Sequence, residues 1–532
     1  MVPASTSTDL KPGKDDAIVM KGITKRFPGV LANDHVDFFV KKGEIHALVG
    51  ENGAGKSTLM NQLYGFHLPD EGEIYINGEE ASFRSPKDAI NKNIGMVHQH
   101  FMLVGNQTVT ENVVLGSEIL HPVMKVFLDR KKARRTVMSL SKQFGLAVDP
   151  DSFIEDIPVG MQQRVEIIKT LYRGADILIF DEPTAVLTPQ ETEELFKVMK
   201  LLKKEGKTVV FITHKLNEVM AITDRVTVMR LGKVTGRVDT KDTNPRQLAN
   251  MMVGREVLLR VEKKPHEPGD LLLEVEKLFV RDNRNLQAVK DVSLNVREGE
   301  IVGIAGVAGN GQSELVEAIT GLRKVESGKI RMTGVDITNL STWEIREIGL
   351  NHVPEDRLRR GLITKYPLYF NAILGKHKDE PFSRDGFLML KNIRNYTKDL
   401  VERFDVRPRN IDQLAGNLSG GNQQKLIVAR ELDDKPRPSR CVVVSQPTRG
   451  LDIGAIEYIH KTLITMRDQG IGILLVSMEL DEIFSLSDRI LVIYEGEIMG
   501  EVTPDEITKE EVGLMMAGQR KAETAVERGD QK

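Results

Sequence analysis

Residues 50–57 read GENGAGKS and match the phosphate-loop pattern G-x-x-x-x-G-K-[S/T] at every fixed position. The glycines free backbone N–H groups to curl around phosphate oxygens. Lys56 places a positive charge on the β- and γ-phosphates, and Ser57 offers a hydroxyl to Mg²⁺. The candidate phosphate contacts are therefore Gly50, Glu51, Asn52, Gly53, Ala54, Gly55, Lys56, Ser57 and Thr58. The bland alternative is a plain turn before a helix. A second segment, ILIFDEPT (177–184), supplies what hydrolysis of a phosphoanhydride still needs. Its apolar run predicts a buried strand. Asp181 at the end of that strand can hold Mg²⁺ through water, and the adjacent Glu182 can polarise an attacking water.

These residues need a strand before each motif and a helix after the loop, and the flanking sequence predicts both. EIHALVG precedes the loop as a strand, and STLMNQLYG follows it as a helix. The same arrangement then recurs. VKKGEIHALVGENGAGKSTL (40–59) returns as VREGEIVGIAGVAGNGQSEL (296–315), so that Gly50 maps to Gly306, an offset of 256. DILIFDEPT (176–184) returns as RCVVVSQPT (440–448), an offset of 264. A nearly constant offset along half the chain means two copies of one domain. We expect domains over 17–255 and 270–519, a charged, proline-bearing linker over 256–269, and disordered tails over 1–16 and 520–532. Short β-branched runs alternate with amphipathic segments in each copy, which predicts an α/β fold with a mostly parallel sheet.

The second copy has lost chemistry. Gln312 replaces the loop lysine and Glu314 takes the place of Thr58. Ser445 and Gln446 stand where Asp181 and Glu182 stand, and Ser477 is read as the counterpart of His214. The loss of a charged hydrogen bond leaves the backbone cradle in place but weakens nucleotide binding.

Composition narrows the class. The 532 residues are 40% hydrophobic and 28% charged, and the formal net charge of −3 gives no reason to expect nucleic acid as a partner. Cys441 is the sole cysteine, so no intrachain disulfide can form, in keeping with a reducing compartment. The polar start is no signal peptide, and no run approaches the ~20 apolar residues of a membrane span.

Together these motifs resemble the ATPase subunits of ABC transporters over nearly the full length, and LSGGNQQK (418–425) is the most specific element of the resemblance. The resemblance implies two tandem P-loop NTPase domains, each with a parallel core sheet, an antiparallel β subdomain and a helical subdomain. It implies ATP and Mg²⁺ as ligands. It assigns Gln99 to the loop glutamine that senses Mg²⁺, His214 to the switch histidine on the γ-phosphate, and Phe27 to the aromatic that stacks on adenine. It makes Ser419, Gly420, Gly421 and Asn422 the signature residues that close on nucleotide. Outside this register, a lone Phe or His would more often be a core or surface residue.

ABC domains pair head to tail, each site taking the loop of one domain and the signature of the other. The first copy's signature, IPVGMQQ (157–163), carries Pro158 for serine. Pairing the copies therefore gives one complete site, from the first loop and the second signature, and one site deficient on both walls. The resemblance further implies two transmembrane permease subunits, contacted through segments 100–116 and 366–375, at the cytoplasmic face of the membrane. An extracytoplasmic lipoprotein would deliver the substrate. MVHQHFMLV, PTAVLTPQE and NHVPEDRLRRGL are most similar to the nucleoside-uptake branch of the simple sugar and nucleoside importers. Pro158 departs from the serine usual in that branch. The alternative is a soluble tandem ABC ATPase acting on ribosomes, against which the short linker and the spent loop both count.

Overall fold

The computed structural model describes residues 13, 15–28, 30–98, 101–120, 129–184, 187, 189–256, 263–307 and 309–519. The chain divides into two compact units, Met1–Val257 and Leu258–Lys532. Nearly all of the two expected tails, and part of the expected linker, lie outside the described residues.

In the first unit the core sheet comprises β1 (Ile45–Gly50), β2 (Ile94–Val97), β3 (Ile177–Asp181), β4 (Thr208–Thr213), β5 (Arg225–Arg230) and β6 (Lys233–Asp239). Their order in space is β6-β5-β1-β4-β3-β2, parallel except for the β5–β6 pair. Every residue of β1, β3 and β4 is buried. That is why these strands read as unbroken apolar runs: a parallel sheet is covered on both faces. The helices that bear on the site are α1 (Lys56–Leu63), α2 (Val159–Tyr172) and α3 (Pro189–Lys204). A separate antiparallel sheet joins Val30–Lys41, Asp16–Phe27, Glu71–Ile76 and Glu79–Ala81.

The second unit repeats this plan with β7 (Ile301–Ala305), β8 (Leu350–Val353), β9 (Cys441–Ser445), β10 (Gly472–Ser477), β11 (Arg489–Tyr494) and β12 (Glu497–Val502). Their order is β12-β11-β7-β10-β9-β8, the first unit's order strand for strand. The corresponding helices are α4 (Gln312–Ile319), α5 (Gly420–Leu432) and α6 (Ile453–Asp468). An antiparallel sheet of Gln287–Arg297, Leu271–Arg281, Ser327–Met332 and Val335–Asp336 again stands apart. No helix of the described residues is long and apolar enough to cross a membrane.

The strand register corrects one sequence alignment. Thr213 lies opposite Val49 on β1, and Ser477 lies opposite Ala305 on β7. Ser477 is thus the counterpart of Thr213, and Met478 takes the place of His214. The two hydroxyls also do the same work: Thr213 Oγ1 accepts from Lys215 N at 3.0 Å, and Ser477 Oγ from Glu479 N at 3.1 Å. The offset of 264 that relates DILIFDEPT to RCVVVSQPT agrees with this pairing, carrying Thr213 to Ser477 and His214 to Met478.

Candidate functional site

The first phosphate loop joins β1 to α1, and its glycines are sterically required. Gly53 and Gly55 hold φ of 83° and 96°. A Cβ on Gly55 would sit 2.3 Å from the Ala32 carbonyl oxygen, and one on Gly50 would sit 2.5 Å from that of Met229. Only glycine meets both conditions. Lys56 is buried, and its Nζ donates to the carbonyl oxygens of Gly50 at 2.8 Å and Glu51 at 3.0 Å. The ammonium is thereby held inside the curl of the loop. Two residues outside the motif brace it. Gln62 Nε2 donates to Asn33 Oδ1 at 2.9 Å, and Asn33 Nδ2 donates to the Gly55 carbonyl at 3.1 Å. No sequence signal marks Asn33 or Gln62 as part of a site. In the second unit Val289 and Ala318 stand at these positions, and the brace is gone.

The end of β3 brings the carboxylates to the loop. The Ser57 hydroxyl lies beside the Asp181 carboxylate and favours its ionised form. Burial, and then the charge of Glu182, push Asp181 above its ordinary value, while Lys56 and Ser57 pull against that rise. Glu182 goes the other way. Burial works to raise it, but the hydrogen bond and charge of His214, with the charges of Lys56 and Lys215, outweigh burial and hold it below its ordinary value. His214 Nδ1 lies 3.2 Å from Glu182 Oε1. Glu182 sits at φ 46°, and its N–H donates to the Ile212 carbonyl at 3.0 Å, which turns its carboxylate toward the histidine. Glu218 supports this turn by accepting from Thr184 Oγ1 at 2.9 Å and Thr213 Oγ1 at 3.1 Å. Two adjacent carboxylates pushed in opposite directions are suited to separate tasks.

Thus Lys56, Ser57, Asp181, Glu182 and His214 form one cluster within the first unit. Gln99 lies outside the described residues, two positions beyond the end of β2. Phe27 ends the strand Asp16–Phe27, 38% exposed, edge-on to His67 with ring centroids 5.5 Å apart. Among the described residues no group of three or more His, Cys, Asp or Glu side chains could hold a metal by itself. The buried Asp181 carboxylate beside the Ser57 hydroxyl nonetheless fits Mg²⁺, which takes one or two protein oxygens and completes its shell with phosphate and water.

The signature residues cluster separately, at the start of α5 in the second unit. Ser419 is the N-cap: its Oγ accepts from Asn422 N at 3.4 Å and from Asn422 Nδ2 at 2.9 Å. Asn422 Oδ1 accepts from Arg407 N at 2.7 Å. A Cβ on Gly421 would meet the Ala455 methyl at 2.9 Å, and one on Gly420 would meet Arg357 Nη2 at 2.9 Å. The corresponding α2 of the first unit starts at Pro158, which gives no side-chain cap. Over its Gly160 lies the Glu191 carboxylate, 2.2 Å from where a Cβ would be. Glu191 stands where Ala455 stands in the second unit. A negative charge takes the place of a methyl group above the helix start that has lost its serine.

In the second unit the cluster is chemically emptied. Gln312 replaces the lysine, and Ser445, Gln446 and Met478 stand at the places of Asp181, Glu182 and His214. Gln446 keeps the backbone conformation of Glu182, at φ 48°, and its Oε1 accepts from Met478 N at 3.3 Å. The turn survives without an ionisable group.

Comparison with known proteins agrees with this geometry. The family model described as ABC transporter matches residues 33–185 and 289–438. The chain is 52% identical to the nucleoside import ATP-binding protein NupA of Lactococcus lactis subsp. cremoris, over 95% of this chain and 98% of that one. It is 51% identical to the guanosine import ATP-binding protein NupO of Bacillus subtilis, over 96% and 99%. It is 45% identical to the glucose import ATP-binding protein TsgD13 of Haloferax volcanii, over 94% and 95%. Among solved structures, a complex of the archaeal ribosomal stalk protein aP1 with the ribosome recycling factor aABCE1 matches at TM-score 0.62 and 18% identity, covering 94% of this chain and 92% of that one. At that identity the likeness speaks for the tandem fold alone. A family match in both halves, and relatives aligned from end to end, place the chain in the ABC transporter family as an ATP-binding ATPase with two tandem ABC domains.

Proposed function

We propose that this chain energises nucleoside import through two membrane permease subunits, hydrolysing ATP at one composite site. That site joins the first unit's loop, Asp181, Glu182 and His214 to Ser419, Gly420, Gly421 and Asn422 of the second. The observation that carries the reading is complementary loss: the unit with the hydrolytic cluster has an uncapped signature helix, and the unit with the capped signature has no hydrolytic cluster. If the two domains had decayed independently, both walls of both sites would be open to loss.

Within this site Lys56 binds the β- and γ-phosphates, and the N–H groups of residues 51–58 cradle their oxygens. Glu182, held ionised by His214, accepts hydrogen-bond donation from the attacking water and orients it. His214 contacts the γ-phosphate, and Phe27 stacks on adenine. Ser57, Asp181 and Gln99 would hold Mg²⁺, which when bound neutralises charge developing on the phosphates. The domain limits 17–255 and 270–519, with a linker over 256–269, follow the repeat. Segments 100–116 and 366–375 contact the permeases at the cytoplasmic face, and a lipoprotein outside delivers the substrate. Nucleoside rather than sugar is favoured because the relatives above 50% identity are named for nucleoside and guanosine import, while the glucose importer lies lower.

The test is uptake of radiolabelled nucleosides and simple sugars by the chain reconstituted with its permeases and binding protein. ATP-dependent nucleoside uptake that Glu182→Gln abolishes is the expected result. Uptake of a sugar and no nucleoside would overturn the substrate assignment. Failure to associate with any permease would overturn the transporter reading.

A further inference from the structure

The segment that leaves β8 in the second unit, PEDR (354–357), carries an arginine to the signature. Arg357 Nη1 donates to the Arg449 carbonyl oxygen at 3.0 Å, in the turn after β9. Its Nη2 lies over the start of α5, 2.9 Å from where a Cβ on Gly420 would be. Its Nε is buried and has no hydrogen-bond partner among the described residues. No carboxylate among them pairs with this guanidinium. The neighbouring Asp356 accepts instead from the N–H groups of Leu358 and Arg359, both at 3.0 Å. Glu355 pairs with the other arginine, Arg449, at 2.5 Å. Burial is the main cause that holds Arg357 below the ordinary arginine value. The charge of Asp356 works against that fall, and the like charge of Arg449 adds to it.

A half-buried guanidinium without a counter-ion destabilises a fold, and an apolar side chain would avoid the penalty. The first unit has one: Phe101 stands at the place of Arg357, and Ala185 at that of Arg449. The cation is thus present beside the signature that keeps its serine and missing beside the one that has lost it. Guanidinium groups pair best with carboxylate or phosphate. The anion that the composite site brings to Ser419, Gly420, Gly421 and Asn422 is the terminal phosphate of ATP. We propose that Arg357 is a further catalytic residue of that site, donating from Nη2 to the γ-phosphate and adding its charge to that of Lys56. The proposal rests on the composite site described above. ADP lacks this phosphate, so Arg357 separates ATP from ADP, and it stabilises charge developing on the γ-phosphate oxygens during hydrolysis.

The experiment measures ATP and ADP affinity by calorimetry, with Mg²⁺, on the assembled complex carrying Glu182→Gln to stop turnover. Adding Arg357→Met should weaken ATP binding about tenfold to a hundredfold and leave ADP binding within about twofold. Thermal melting of the same variant should show no loss of stability, because the substitution removes a buried charge that had no partner. Equal losses for ATP and ADP, or an unmoved ATP affinity, overturn the proposal. So does a variant that melts early or fails to fold, since the guanidinium would then be a structural pin between α5 and the turn after β9. Ser419→Ala in the same background separates this inference from the reading beneath it. If Ser419→Ala weakens ATP binding and Arg357→Met does not, the composite site stands and Arg357 has no part in it. If neither substitution moves ATP affinity, the composite site itself fails.

Discussion

At the scale of residues, the account turns on a pair of neighbouring carboxylates with opposed surroundings. Glu182 sits below its ordinary value of 4.5 because His214, Lys56 and Lys215 favour its ionised form more than burial disfavours it. Glu182→Gln should therefore lower kcat by about 10²–10⁴-fold with little change in KM, as steady-state kinetics of the assembled complex would show. The sign of the pH dependence follows. A base with a depressed pKa stays ionised as pH falls, so the acid limb of kcat should lie below the ordinary glutamate range. An acid limb near pH 6 would mean that another group is the base. The loop residues, Asp181 and Glu182 were legible in the sequence because each lies within a short local pattern. Asn33 and Gln62 were not, because their bracing contacts span 22 and 29 residues, and Glu218 reaches Thr184 across 34, separations that leave no local spacing. The place of His214 in the second copy is legible in the sequence, since the repeat offset of 264 carries it to Met478 and not to Ser477.

At the scale of elements, the contrast between α5 and α2 carries the asymmetry. Ser419 caps α5, and Pro158 leaves α2 uncapped. Ser419→Ala should cost about 1 kcal/mol of stability in chemical denaturation. It should also reduce ATP turnover, because the same serine faces the nucleotide in the proposed composite site. Pro158→Ala should do neither. Gly55→Ala is a sharper perturbation. Its Cβ would fall 2.3 Å from the Ala32 carbonyl oxygen at φ 96°, so nucleotide binding measured by calorimetry should be lost. The α/β class and the parallel strands could be read from apolar runs and turn signals. The four-stranded antiparallel sheets came from family resemblance, since nothing in their alternation distinguishes them from the edges of the core sheet.

At the scale of the whole molecule, the two units share one strand order but differ in what they bury. Glu431 on α5 is fully enclosed between Arg346, at 2.8 Å, and Arg430, at 2.7 Å, where the first unit has the neutral Thr170. Burial works to raise its pKa, but the two guanidinium charges hold it down at about 2, from 4.5. Its contribution to stability is therefore complete above pH 4.5 and fades as pH falls toward about 2. Removing the charge leaves the buried Arg430 and the half-buried Arg346 without their counter-ion. Glu431→Gln should destabilise the chain by about 3–5 kcal/mol at pH 7. The gap from wild type, followed by thermal melting, should narrow below pH 4.5.

The central claim is that one complete ATP site serves the whole chain. The direct measurement is ATP turnover by the assembled complex carrying Lys56→Ala or Gln312→Ala. The account predicts a loss of at least about a hundredfold for Lys56→Ala and of less than about threefold for Gln312→Ala. Comparable losses from both substitutions would contradict it.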